Sequence, residues 1–204
     1  MLDFVDGYGS TESSPPDAPR WRVEGFAIVS DDDRIADAHG RMPDALRNEA
    51  DWRTFQAGLD RMDAVLLGRI SHEVTPDRSG RLRIVVSAHA DGIERRDDGW
   101  WWSPPRVPVA DMLARVLPDG GAIGVPGGRG VFDIFLAYGY DAFHLTRARG
   151  VALPGGTPLF SDCLTGRAEA VLARHGLAPG PETILDPDWA ITQTVWRPAH
   201  SDGG

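Results

Sequence analysis

The sequence predicts an α/β domain: a mostly parallel central sheet, helices on its flanks and an antiparallel strand at its C-terminal edge. Three features carry that expectation. Short apolar runs rich in β-branched residues alternate with stretches whose apolar residues recur at helical spacing, the pattern of successive β–α units. Glycines stand at two strand-to-helix junctions, at Gly68 and at Gly127-Gly128. Two further runs near the C-terminus follow each other without a helix between them, which reads as a hairpin.

In chain order, residues 1 to 20 are rich in Ser, Pro, Gly and Asp and read as a flexible arm. Val23 to Ser30 is a strand that ends in the turn-forming Asp31-Asp32-Asp33. From Asn48 to Met62, Ala50, Phe55, Leu59 and Met62 fall at helical spacing, with Asn48 as N-cap and Asp51 at the third helical position. Ala64 to Leu67 is a buried strand bounded by Gly68, and Ile84 to Val86 is another. Ala110 to Leu117 reads as a helix stopped by Pro118 and Gly120. Ala122 to Val125 is a strand, Gly130 to Ala137 a helix and Phe143 to Thr146 a strand. Runs near Glu182 to Leu185 and Ile191 to Trp196 form the hairpin, and residues 198 to 204 read as frayed. One domain, residues 21 to 197, lies between the two ends. The Trp100-Trp101-Trp102 run beside Pro104-Pro105 reads as a loop that packs over the sheet or makes a subunit contact.

Composition removes several function classes. The 204 residues are 42% hydrophobic and 25% charged, the balance of a folded chain with a full core. A formal charge of -9 argues against nucleic acid or an anionic membrane as partner, since both need a basic surface. Cys163 is the only cysteine, which excludes a disulfide framework and a Cys-rich zinc site. The opening MLDFVDGYGSTESSPPD has no apolar core of a signal peptide, and no apolar run approaches the roughly 18 to 20 residues of a membrane span. A soluble, cytoplasmic protein is expected. All 21 basic side chains are arginine, so Schiff-base chemistry through lysine is impossible and any anion clamp must use arginine, backbone N–H or hydroxyls.

The chemical signals are few. Gly127, Gly128, Arg129 and Gly130 lie between a strand and a helix, where backbone can approach a ligand and the helix start favours an anion, although the spacing is not GxGxxG. Gly68, Arg69 and Ser71 repeat the arrangement after the earlier strand, with Arg69 able to grip a phosphate with two donors. Asp51 and Phe55, four apart, share a helix face, and a carboxylate beside an aromatic in a cleft can have its pKa raised and handle a proton. His72-Glu73 lacks the second histidine of HExxH, GxSxG is absent, and no metal-ligand pattern occurs.

The ordered set of segments VEGFAIVSDDDRIAD, MPDALRNEADWRTF, DAVLLGRISHE, GRLRIVVSA, GVPGGRGVFDIFLAYGYDAFHLT and LPGGTPLF resembles the dihydrofolate reductase superfamily. The similarity is greatest to stand-alone relatives of the C-terminal reductase domain of the riboflavin-biosynthesis deaminase–reductase. The matching stretch runs from about Val23 to Asp162. The resemblance implies a dihydrofolate-reductase-like three-layer fold, a homodimer and an NADPH cofactor that gives a hydride to a small-molecule substrate. It places Ala27 and Ala36 near the nicotinamide, Gly68, Arg69 and Ser71 at a cofactor phosphate, Ser87 at the adenosine ribose or its phosphate, and Gly127, Gly128, Arg129 and Gly130 under the pyrophosphate. On the substrate side it places Asp51 as catalytic and substrate-binding acid, Phe55 beside it, and Arg81 or Arg83 at the substrate's anionic end. The implied reaction is that of the 5-amino-6-ribosylaminouracil phosphate reductases. The alternatives are a dihydrofolate reductase, with Arg81 on the glutamate tail, and an inactive nucleotide-binding protein on the same fold. Met42-Pro43-Asp44 departs from the folate enzymes, which carry tryptophan after Met-Pro, and the three aspartates at 31 to 33 are expected to disfavour a phosphate near that wall.

Overall fold

A computed structural model describes residues 20–75, 80–164 and 166–199. The expected arm, apart from Arg20, and the last five residues of the expected frayed end lie outside them. The elements in order are β1 (Trp21–Val29), β2 (Arg34–Ala36), α1 (Glu49–Leu59), β3 (Ala64–Gly68), α2 (Arg69–Val74), β4 (Arg83–Val86), β5 (Ile93–Arg96), β6 (Gly99–Trp102), α3 (Val109–Val116), β7 (Gly121–Gly127), α4 (Arg129–Tyr138), β8 (Ala142–Ala148), β9 (Thr157–Pro158), α5 (Ala168–Arg174), β10 (Leu177–Asp186) and β11 (Ile191–Pro198). Pro198 closes β11 opposite Leu177, and the Ala199 N–H donates to Gly176, so order runs slightly past the expected boundary.

The central sheet has nine strands in the order β10-β11-β8-β1-β7-β3-β4-β6-β5. From β8 to β6 every pair is parallel; β11 and β10 on one edge and β5 on the other run antiparallel. The strands alternate faces with the period of two that an extended chain imposes. Ala64 and Leu66 of β3 join Val23, Ile84 and Ile123 in the large core under α3, α4 and α5. Val65 and Leu67 turn the other way, to Phe26, Leu59 and Met62 under α1. Helix–sheet–helix layering follows directly from that alternation.

The long helices form where the spacing predicts. Met112, Leu113 and Val116 bury the inner face of α3, and Val131, Phe132, Phe135 and Leu136 that of α4, which stops at Gly139 (φ 118°). Helix α1 starts where the Asn48 Oδ1 accepts the N–H groups of Ala50 and Asp51 at 2.9 and 3.1 Å. It approaches β1 closely: a Cβ on Gly58 would meet the Phe26 ring at 2.5 Å. That ring is stacked on His144 at 4.5 Å, a contact it would have to give up to move aside. Alanine is favoured over glycine inside a helix by about 1 kcal/mol, yet Gly58→Ala is expected to lose about 1–2 kcal/mol net in urea unfolding through overpacking. A stabilised variant would mean that Phe26 yields.

The tryptophan run is corrected. It is strand β6, paired with β4 as Ile84↔Trp100, Val85↔Trp101 and Val86↔Trp102, and Trp101 and Trp102 are buried within the chain. The run lies within the sheet and is not a loop packed over it. Gly99 permits the pairing, since its φ is 146° and a Cβ there would meet the Arg83 carbonyl at 2.7 Å. The short β2–β9 ribbon and α5 add to what the sequence predicts.

Candidate active site at the carboxyl edge of the sheet

β7, β3 and β4 are neighbours, and their carboxyl ends carry the three predicted anion-binding segments, at the edge where open α/β sheets bind ligands. Gly68 closes β3 and caps α2. The Arg69 Nη1 donates to the Glu73 Oε1 at 2.7 Å, one turn along, and Ser71 is half-buried on the same helix. Ser87 follows β4; its N–H donates to the Trp102 carbonyl at 2.9 Å, and its hydroxyl accepts the His89 N–H at 3.2 Å. β7 ends in Gly127-Gly128, joined by a cis peptide bond. A Cβ on Gly127 would strike the Phe132 ring at 2.8 Å, whereas one on Gly128 or Gly130 meets nothing within 4 Å. Exposed Arg129 and Gly130 open the ten-residue α4, and their amides precede its first intrahelical acceptor, which gives that end donors and a positive dipole.

Asp51 stands in the first turn of α1, half-buried, with Phe55 one turn on. The Asn48 Nδ2 donates to the Asp186 Oδ2 at 2.8 Å and so fastens this helix start to β10. Burial pushes the Asp51 carboxyl above the ordinary carboxylate range; a hydrogen bond from the Thr146 hydroxyl pulls the other way and loses. Thr146, fully buried on β8, accepts the Gln193 Nε2 of β11 at 3.0 Å, which leaves its own hydrogen for Asp51. Sequence reasoning missed both residues. The available signal was a hydroxyl directly after Leu145 on a buried strand. Phe55 meets Phe26 edge-on at 6.2 Å and Trp52 at 5.6 Å. Phe26 covers His144, whose Nε2 lies 2.9 Å from the Glu24 Oε2; that hydrogen bond holds Glu24 below its usual range despite burial.

Other predicted residues lie apart. Ala27 sits on β1, one residue past Phe26, and packs toward the large core, while Ala36 belongs to the β2–β9 ribbon opposite Thr157. Arg81 reaches the far end of α1, where it pairs with the Asp60 carboxylate and donates to the Gln56 Oε1 at 2.9 Å. Buried Arg83, at the amino end of β4, donates to the Thr75 carbonyl at 2.9 Å and contacts His72. The Asp31–Asp33 turn is not an open acidic wall. Asp31 accepts the Gly150 N–H, Asp32 the Leu153 N–H, and Asp33 the Arg147 guanidinium. Two surface hollows lie elsewhere: one of about 550 Å³ by Arg20, Arg22 and Arg61, and one of about 250 Å³ by Arg149 and Trp196.

No protein-family profile matches the chain, and no curated protein matches it by sequence. Solved structures do match. A dihydrofolate reductase from Enterococcus faecalis, complexed with NADP(H) and RAB-propyl, superposes with a TM-score of 0.62 at 15% identity over 86% of this chain and 95% of that one. The diaminohydroxyphosphoribosylaminopyrimidine deaminase/5-amino-6-(5-phosphoribosylamino)uracil reductase of Thermotoga maritima gives 0.63 at 16% identity over 88% of this chain, which spans only 57% of that longer protein. A protein from Shewanella sp. PV-4 assigned to riboflavin biosynthesis gives 0.64 at 22% identity over 88% and 99%. The chain has the dihydrofolate-reductase-like fold. Among the described residues no helix is long and apolar enough to cross a membrane.

Proposed function

We propose that this chain is an NADPH-dependent reductase of the aminopyrimidine ribosyl phosphate type, acting on the ribosyl group to give a ribityl product. The observation that carries the proposal is Asp51: a carboxyl pushed up by burial, backed by Thr146 and Gln193, on a fold whose solved examples include a dihydrofolate reductase and a uracil reductase. The residues present suit the cofactor. Glycines at 128 and 130 leave free space where a side chain would otherwise stand, beside a helix start that favours anions. The α4 amides and Arg129 would hold the pyrophosphate, and Arg69, Ser71 and Ser87 the adenosine end. By the resemblance Ala27 of β1 and Ala36 of the β2–β9 ribbon would border the nicotinamide. When bound, NADPH supplies the hydride.

The protein's own part is position and proton. Asp51, kept protonated to higher pH than a solvated aspartate, delivers a proton to the substrate atom that gains charge, and the Thr146 hydroxyl fixes its orientation. Phe55 and Trp52 offer an aromatic wall for a planar pyrimidine. The anionic end falls to Arg81, which would exchange Asp60 for a substrate phosphate; a folate tail would face the same competition. Arg83 is committed to Thr75 and His72.

Tryptophan quenching on addition of NADPH tests this reading. Micromolar binding is expected. Arg69→Ala should weaken it by about 1–3 kcal/mol, the size of a lost charged hydrogen bond. Gly130→Glu should abolish it with an unchanged far-UV spectrum, because its side chain has open space in the fold but repels a pyrophosphate. Binding of neither NADPH nor NADH overturns the proposal; binding without turnover on pyrimidine or pterin substrates selects the inactive alternative.

A further inference from the structure

Helix α2 carries Arg69 and Ser71, yet it buries no residue of its own, and its apolar Ile70 and Val74 are 68% and 72% exposed. Apolar packing therefore does not hold it. A polar network does. The His72 Nε2 lies 2.8 Å from the Asp98 Oδ2 in the β5–β6 turn, and its Nδ1 lies 3.2 Å from the Arg83 Nη1 on β4. A guanidinium can only donate, so Nδ1 is the acceptor, and the ring carries its hydrogen on Nε2 and gives it to Asp98. The second Asp98 oxygen accepts the Trp101 Nε1 at 2.9 Å. Those bonds, from Trp101 and then His72, hold the Asp98 carboxyl below its usual range. The His72 ring stands edge-on to Trp101 at 5.7 Å, and the Arg96 guanidinium covers that indole at 4.1 Å. Arg83 continues to the carbonyl of Thr75, the residue that ends α2. An Asp–His pair elsewhere can serve as a general base. Here the ring's free lone pair already faces a guanidinium, so the pair is a tether.

We infer that His72 is a positioning residue: through Asp98 and Arg83 it fixes α2 against β4 and β6 and thereby presents Arg69 and Ser71 to the phosphate of a nucleotide. The inference rests on the cofactor reading above. It has a sharp requirement, because His72 and Trp101 donate to different Asp98 oxygens, and an asparagine would turn its NH2 donor toward one of them. Asp98→Asn keeps the volume and breaks the pattern.

The test combines three variants with amide exchange and NADPH titration. In Asp98→Asn, the amides of α2 should exchange about tenfold faster or more, while those of β3 and β7 keep their protection. NADPH affinity should fall about tenfold or more, with kcat at saturating NADPH within about twofold, since the Asp51 end is untouched. His72→Phe, which retains the ring against Trp101, should behave alike. His72→Gln, which restores a donor toward Asp98, should recover part of the affinity. Asp98→Asn and His72→Phe binding NADPH as the parent does would overturn the inference and leave the cofactor reading standing. So would affinity, kcat and melting temperature falling together, because that is general destabilisation. A parent protein that binds no NADPH overturns the cofactor reading and the inference with it.

Discussion

Asp51→Asn is expected to cut reductase turnover by about 100-fold or more, the usual contribution of a positioned proton donor, while NADPH affinity stays within about twofold. The same substitution should raise the melting temperature at pH 7. The side-chain amide keeps the hydrogen-bond acceptor that Thr146 meets and removes a carboxyl whose charged form burial disfavours. The sign follows from proton linkage. The folded-state pKa lies above the unfolded one of about 3.9, so between the two the native state binds more protons and stability falls as pH rises through that window. The parent and the variant should converge in stability on the acid side of the window and separate above it. Turnover of the parent should decline as pH rises through the raised pKa, and the variant should lose that limb. Thermal scans from about pH 3.5 to 8 with parallel rate profiles check both. Equal stability at every pH would show that Asp51 is solvated, and an unchanged rate would remove it from the chemistry.

What the sequence makes legible is what local periodicity encodes. Strands β1, β3, β7 and β8 and helices α1, α3 and α4 have runs long enough to show a period of two or of about 3.6, and the Asn48 cap lies in the sequence itself. Strand β6 was hidden because Gly-Trp-Trp-Trp-Ser-Pro-Pro has loop-like flanks, and its identity comes from β4 alongside it. Strands β2 and β9, of three and two residues, are too short for any period. The site divides the same way. Asp51 and Phe55 are read together because four residues bring them onto one face of α1. Thr146 meets Asp51 from β8 and is itself held by Gln193 of β11, and the pairing of Arg81 with Asp60 spans 21 residues, so nothing local announces them. The acidic turn shows the limit of counting charges: what three aspartates do depends on which donors the fold delivers.

Those donors give the largest expected stability effect. Arg147, 3% exposed on β8, donates from Nη1 to the Ser30 carbonyl at 2.8 Å and from Nη2 to the Asp33 Oδ1 at 2.7 Å, with Glu169 completing the cluster. Burial alone would lower the Arg147 pKa, but Asp33 and Glu169 outweigh it and hold the guanidinium charged. Asp33 is 2% exposed, and apart from Arg147 its carboxylate has Arg167 at 3.4 Å, on a side chain that is largely exposed. Arg147→Met should therefore cost about 3–5 kcal/mol, because it strands a buried carboxylate. Adding Asp33→Asn should return a large part of that loss, since the stranded charge and not the missing pair is what destabilises. Urea unfolding of the single and double variants measures both steps, with the slope m expected to stay constant. A loss under about 1 kcal/mol, or a double variant no better than Arg147→Met, would mean that water reaches Asp33. Arg147 adjoins Thr146 but faces the opposite side of β8, so native molecules of the double variant should keep the Gln193–Thr146 bond and the raised Asp51 carboxyl. Fold stability and site chemistry are then separable at adjacent residues of one strand.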